Sequence, residues 1–314
     1  MCLTAHPGGC REQVREQIAY VRRQPPVEGP KRVLIIGASN GYGLAARIVS
    51  AFSCGAATVG VFLERAGTAT RTATVGWYNN LAFEQEAREV GLAAYSVNGD
   101  SFSPDVKVHT IESIRDQLGP VDCVMYSIAA PRRLDAETGQ IYSSVVKPIG
   151  QRFRGKTVDM KTGVLSDVVA EPATEDEIAE TVKVMGGEDW MGWIDALHER
   201  GMLAPGAVTV ALSYVGPAIT APIYRDGTMG RAKQNLEATA EIINRRFEDR
   251  RVRAVISVNK ALVTRASAVI PSVTLYISLL YAVMKRKGLH EGCIHQMHRL
   301  YRDYLFAADP KLLD

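Results

Sequence analysis

Residues 32–43 constrain this chain more than any other stretch. They open with Arg32-Val33-Leu34-Ile35-Ile36, a short apolar run rich in β-branched residues and bounded by Lys31 and Gly37. That is the pattern of a strand buried on both faces of a parallel sheet. Gly37-Ala38-Ser39-Asn40-Gly41-Tyr42-Gly43 follows, and a helical pattern then runs on to Phe52. A buried strand that passes into a helix through closely spaced glycines forms a phosphate-binding turn. The glycines let the backbone turn tightly and approach a diphosphate, while the first helical N–H groups and the positive end of the helix dipole face the anion.

The rest of the chain repeats this alternation. Strands are expected at residues 58–63, 93–97, 121–128, 208–214 and 252–258, and helices at 11–22 and 108–118. Strand and helix at this spacing make βαβ units, so the expected fold class is α/β: a Rossmann-type doubly wound parallel sheet. A charged, Gly-containing stretch between Pro131 and Pro205, with Met185-Gly186-Gly187-Glu188-Asp189-Trp190 near its end, reads as a helical insertion on the substrate side. The organisation is therefore 1–130 for the lead-in and first half of the nucleotide-binding fold, 131–205 for the insertion, and 206–314 for the second half with the catalytic residues. Residues 268–284, interrupted by Pro271, Ser272 and Thr274, read as a buried core helix. There is no internal repeat and no low-complexity tract.

Composition excludes several classes. With 46% apolar and 23% charged residues in 314, the chain can bury an ordinary globular core. Its net charge of +3 is small, and its densest cationic run, Arg250-Arg251-Val252-Arg253, sits beside Glu248 and Asp249 as a solvated helix end. No nucleic-acid partner is expected. Five cysteines without a C-x-x-C pair speak against a disulfide framework or a zinc site and for a reducing cytoplasm. His295 and His298 would lie on neighbouring helix faces, but no third ligand stands near them, so no metal is expected. No apolar run approaches the roughly 20 residues of a membrane span.

Glu64 stands 21 residues beyond Gly43, at the end of the second expected strand. A carboxylate there accepts both ribose hydroxyls of a dinucleotide and repels a 2′-phosphate, which favours NADH over NADPH, although Arg65 next to it works the other way. Asp100 ends the third strand and suits either the adenine amino group or an Asx turn after Asn98-Gly99. Ile128-Ala129 would set small backbone against the cofactor at the end of the fourth strand. Tyr224 and Lys233 are the catalytic candidates, since an ammonium lowers a nearby phenol's pKa and can hold a ribose. Nine positions apart, they face opposite ways on one regular helix. The intervening Asp226-Gly227-Thr228 breaks that helix, so Tyr224 is placed in a loop, Thr228 or Asp226 at the cap, and Lys233 on the second turn.

Longer strings carry a resemblance. Thr4-Ala5-His6-Pro7-Gly8-Gly9-Cys10, the Gly37–Gly43 turn, Gly76-Trp77-Tyr78-Asn79, Tyr126-Ser127 with Pro131-Arg132-Arg133, Tyr142-Ser143-Ser144, Lys147-Pro148-Ile149-Gly150, Met185 to Trp190, and His290-Glu291-Gly292-Cys293 are similar to the trans-2-enoyl-CoA reductase / FabV-type enoyl-ACP reductase family. This branch of the short-chain dehydrogenase/reductase superfamily separates its catalytic Tyr and Lys by eight residues, as Tyr224 and Lys233 do. The resemblance implies an NADH-dependent enoyl thioester reductase of fatty acid biosynthesis. It implies cofactor contacts at Gly37, Ala38, Ser39, Asn40, Gly41, Tyr42, Leu63, Glu64, Asp100, Ser101, Ile128, Ala129, Lys233, Leu262, Val263 and Thr264, a substrate contact at Tyr214, and Tyr224 as proton donor. It also implies a monomer, and a chain short of the family's further C-terminal helical segment. Coenzyme A and acyl carrier protein both remain open as the carrier, and Arg132, Arg133 and Lys147 suit the phosphates of either as well as they suit a solvated surface. A carbonyl reductase on the same scaffold, or a non-catalytic NADH-binding homologue, would share the cofactor site.

Overall fold

Val33 and Ile35 point to one side of their strand, Leu34 and Ile36 to the other, and all four are fully buried. Successive side chains of a strand alternate faces, so a four-residue run of this kind requires a layer of helices on each side. The computed structural model, described over residues 5–159, 162–262 and 273–309, supplies both layers. The chain runs α1 (Pro7–Arg22), β1 (Arg32–Ile36), α2 (Gly41–Phe52), β2 (Ala57–Phe62), α3 (Val75–Glu89), β3 (Ala94–Asn98), α4 (Pro104–Gln117) and β4 (Val121–Tyr126). Two antiparallel hairpins follow, β5 (Arg132–Leu134) with β6 (Ile141–Ser143) and β7 (Phe153–Val158) with β8 (Leu165–Ala170). Then come α5 (Glu175–Met185), α6 (Glu188–Glu199), β9 (Leu203–Ser213), α7 (Thr228–Arg246), β10 (Arg253–Val258), α8 (Val273–Arg286) and α9 (Cys293–Arg299).

Six strands form one parallel sheet in the order β10-β9-β4-β1-β2-β3. The order reverses at β1, whose neighbours β2 and β4 lead to opposite edges, and ligands bind such sheets in the crevice at that switch. One face carries Val33, Ile35, Cys123 and Met125 against α1, α2 and α9. The other carries Leu34, Ile36, Val124 and Tyr126 against α4, α6 and α7. All six expected strands are present, with ends moved by a few residues.

The insertion is helical only in its second half. Its first half holds the two hairpins, whose tips share an Asp-x-x-Thr-Gly pattern at Asp135–Gly139 and Asp159–Gly163. In each, the aspartate carboxylate accepts the threonine N–H, at 3.0 Å for Thr138 and 2.9 Å for Thr162. At the first tip the same carboxylate also accepts the Glu137 N–H at 3.0 Å and so closes an Asx turn, and the repeated string is a local signal of both tips. α5 starts on a capping box between Thr174 and Glu177, at 3.2 and 3.0 Å. The expected buried helix at 268–284 differs too. Over its described part, α8 buries Val273, Thr274 and Ile277 but leaves Leu279 62% and Val283 40% exposed, because it packs along one face only, with β7 of the second hairpin as a neighbour.

Arg47, on α2, is fully buried and ties three elements together. Its guanidinium donates to Asn80 Oδ1 of α3 and Ser96 Oγ of β3, both at 3.0 Å, and to the Tyr95 carbonyl, and it lies over the Phe83 ring. Burial lowers its pKa to about 10, which still leaves it cationic at neutral pH. Replacing Arg47 by Met strands these acceptors without a donor. The expected result is a loss of about 3 kcal/mol of stability, read as a lower urea midpoint with an unchanged slope.

Candidate active site

The turn after β1 closes on itself and on the end of β4. Gly37 holds φ +89°, and a Cβ on it would strike the Ser127 carbonyl, while a Cβ on Gly43 would strike the Gly37 carbonyl. The Gly37 and Ala38 amides both donate to the Val61 carbonyl, at 2.9 and 3.0 Å. α2 then starts at Gly41 with no side-chain cap and no acid in its first turn. The capping residue, Asn40, spends its amide elsewhere: Nδ2 donates to Glu64 Oε1 at 3.0 Å, and Oδ1 accepts from Asn79 Nδ2 at 3.1 Å. A helix N-terminus left uncapped behind a tight glycine turn fits a dinucleotide's diphosphate.

Glu64 is half-buried at the end of β2, and Leu63 beside it is 69% exposed. Asn98 pins the Glu64 backbone with two hydrogen bonds of 2.9 Å. A Cβ on Gly76 would fall on the Glu64 carboxylate, so the start of α3 must be bare there. Asn79, Gly76 and Asn98 thus set the acid's position. Gly76 and Asn79 lie in a string that carried only the family resemblance, and nothing in the sequence assigned Asn98 a role. Asp100 forms the Asx turn, accepting the Phe102 amide at 3.0 Å through Oδ1, and Ser101 is buried beside it. The Ile128-Ala129 segment follows β4, with the Ile128 side chain against Gly37. Ser144 holds the end of this segment, its hydroxyl donating to the Ala130 carbonyl at 2.8 Å.

At the other end of the same crevice, Tyr224 follows a short 3-10 turn at Ala218–Ile223. Its carbonyl accepts the Gly230 amide at 2.9 Å, which fastens it to the first turn of α7. Lys233 lies three residues beyond Gly230, on the same side of the helix. The cap differs from both expected residues. It is Gly227, because the Thr228 hydroxyl is committed to the Val145 carbonyl and Asp226 pairs with Arg225 at 3.1 Å.

Tyr224 is 7% exposed, and burial together with the Tyr214 ring pushes its phenol well above the ordinary value. No hydrogen bond links it to Lys233 among the described residues, so the expected lowering by the ammonium is absent. Desolvation dominates instead and keeps the phenol protonated. Lys233 has no hydrogen-bond partner among the described residues, and burial, opposed by Glu237, brings its ammonium down to about 8. Tyr214 meets Tyr224 edge to face at 5.0 Å, and its buried hydroxyl makes no hydrogen bond among the described residues. Tyr214 also walls a cavity of about 320 Å³ with Gly216, Asn259, Lys260, Tyr276 and Leu280.

Tyr42 spans the crevice in a way its sequence position does not reveal. Its hydroxyl donates to the Lys260 carbonyl at 2.7 Å, joining the phosphate turn to the segment after β10. Leu262 in that segment is buried, whereas Val263 and Thr264 lie outside the described residues. Two of the three basic residues suited to a carrier's phosphates are already engaged. Arg133 donates to the Lys183 carbonyl and to Glu188, both at 2.9 Å, and Lys147 pairs with Glu177. Arg132 remains exposed.

This arrangement has counterparts. Residues 1–69 match the model of the NAD(P)H binding domain of trans-2-enoyl-CoA reductase, and residues 71–306 match the trans-2-enoyl-CoA reductase catalytic region. The NADH trans-2-enoyl-CoA reductase of Ruminiclostridium cellulolyticum is 51% identical over 312 residues, covering 99% of this chain and 79% of that protein. A Coxiella burnetii NADH enoyl-acyl-carrier-protein reductase is 55% identical over 310 residues, covering 98% and 76%. The crystal structure of Clostridium acetobutulicum trans-2-enoyl-CoA reductase in complex with NADH superposes with a TM-score of 0.97 at 43% identity, covering all of this chain and 79% of that one. A FabI–NADH complex from Alistipes finegoldii shares the fold alone, at TM-score 0.54 and 17% identity. With family models matching both parts of the chain and relatives more than half identical along nearly all of it, the chain belongs to the trans-2-enoyl-CoA reductase family.

Proposed function

We propose that this chain reduces the trans-2 double bond of an enoyl thioester, carried on coenzyme A or acyl carrier protein, to the saturated acyl thioester with NADH. The observation that carries the reading is one crevice with two ends. An uncapped helix and a positioned Glu64 form one end, and a buried, protonated Tyr224 beside a tyrosine-walled cavity forms the other.

When bound, NADH supplies the hydride that adds to the β-carbon. Gly37, Ala38, Ser39, Asn40, Gly41 and Tyr42 seat its diphosphate, Glu64 beside Leu63 accepts its ribose hydroxyls, and Asp100 with Ser101 lines the adenine end. Ile128, Ala129 and Leu262 form the walls toward the nicotinamide. As negative charge grows on the thioester oxygen, Tyr224 donates a hydrogen bond to it and then supports protonation of the enolate. One such donor aimed at developing charge contributes roughly 10²–10³ in rate. Lys233, cationic and short of partners, holds the nicotinamide ribose, and Tyr214 flanks the acyl chain. The cofactor end is built by residues 1–130 and the catalytic end by 206–314, with 131–205 between them. The chain acts as a monomer in the cytoplasm in this reading, as a step of fatty acid biosynthesis. No helix among the described residues is long and apolar enough to cross a membrane.

The direct test follows NADH oxidation with crotonyl-CoA, in parallel with NADPH and with a simple ketone. Turnover with NADH and crotonyl-CoA is expected, with little from NADPH and none from the ketone; the reverse substrate preference makes the chain a carbonyl reductase. Tyr224→Phe should lower kcat by about 10²-fold or more while leaving NADH affinity near wild type. Unchanged turnover removes Tyr224 from the donor role. Lys233 carries its charge below about 8 and loses it as the pH rises through that value. The alkaline limb of kcat/KM should therefore fall with a midpoint near 8, and Lys233→Arg, which stays charged, should move that limb out of range. A limb that stays in place in Lys233→Arg belongs to another group.

A further inference from the structure

Lys107 sits in the first turn of α4, where a cation opposes the helix dipole. Its surroundings explain what keeps it there. All three ammonium protons are taken: Nζ donates to the Ser101 carbonyl at 2.9 Å, the Phe102 carbonyl at 3.3 Å and Asp189 Oδ1 at 2.6 Å. The ammonium also lies 5.2 Å above the Trp193 ring of α6. Asp189, likewise of α6, is 4% exposed, and its other oxygen accepts the Tyr126 hydroxyl at 3.1 Å. Tyr126 ends β4 and stacks on Trp190, whose indole N–H donates to Thr209 of β9 at 2.8 Å. Arg133, from the insertion, lies over the Phe102 ring and is a second cation acting on Asp189.

This network reaches the cofactor crevice without lining it. The two carbonyls that Lys107 holds belong to the turn after β3, which carries Asp100 and Ser101. Asp189 comes from the Gly-Gly-Glu-Asp-Trp string of the insertion, more than eighty positions later. We propose that Lys107 and Asp189 are positioning residues: they fix the Asp100–Phe102 turn from beneath, so that the insertion helix sets the geometry of the adenine end. The inference rests on the reading of Asp100 and Ser101 as adenine contacts.

Lys107→Met frees the two carbonyls and leaves Asp189 buried without its cation. The KM for NADH should rise about tenfold, with kcat changed less than threefold and the KM for crotonyl-CoA unmoved. Lys107→Met combined with Asp189→Asn removes the unpaired charge while the carbonyls stay unheld. The double variant should regain thermal stability and keep the raised KM for NADH, whereas a purely structural pair would regain both. An unchanged KM for NADH in the single variant, or its restoration together with stability in the double variant, overturns the proposal. If the single variant does not fold, the KM of the double variant decides: raised supports, unchanged overturns. Asp100→Asn, measured alongside, separates the two levels. A wild-type KM for NADH in Asp100→Asn removes Asp100 from the adenine site, whereas a raised KM there with unmoved Lys107 variants refutes positioning alone.

Discussion

The close approach of Gly37 to Ser127 and of Gly43 to Gly37 is the contact on which the crevice depends. It brings the ends of β1 and β4 together at the point where the strand order reverses. It also aims the start of α2 at the space between them. No side chain fits in either gap, so the turn can take one shape, and that shape leaves helix N–H groups free for an anion. Asn40 then extends the constraint outward. By donating to Glu64 and accepting from Asn79 instead of capping its own helix, it links the glycine turn to the acid beyond β2.

Three cations, Arg47 fully buried and Lys107 and Lys233 partly so, show how differently this fold treats charge. Arg47 and Lys107 are surrounded by acceptors, and each ties together elements that are distant in sequence. A buried charge without partners is disfavoured, and the usual relief is a shifted pKa. Lys233 shows that relief: it has no hydrogen-bond partner among the described residues, and its ammonium is down at about 8. The paired cations tie elements together, and the unpaired one titrates nearer to neutrality.

Burial also sets the character of the Tyr224 phenol. Tyr224 lies against Tyr214 and away from water, so its phenol is protonated across the physiological range. A phenol in that state can donate a hydrogen bond to charge that appears during the reaction. The adjoining cavity is walled by Tyr214, Tyr276 and Leu280, so its lining beside the phenol is largely apolar.

The sequence by itself determined the sheet, the phosphate turn and the pair of catalytic candidates, because each is written in local pattern. β-branched runs between glycines specify buried strands, and the Asp226-Gly227-Thr228 break specifies where α7 begins. The insertion's hairpins were locally legible too, through their repeated Asp-x-x-Thr-Gly tips. Tertiary structure decided what depends on distant partners. It made Gly227 the cap because Thr228 is drawn to Val145, engaged Arg133 and Lys147 in internal pairs, and exposed one face of α8. It raised the Tyr224 phenol where a neighbouring lysine was expected to lower it, since desolvation depends on everything packed around a group. It also gave Asn79, Asn98, Lys107 and Asp189 their places, because a hydrogen bond between residues tens of positions apart leaves no period or spacing in the chain.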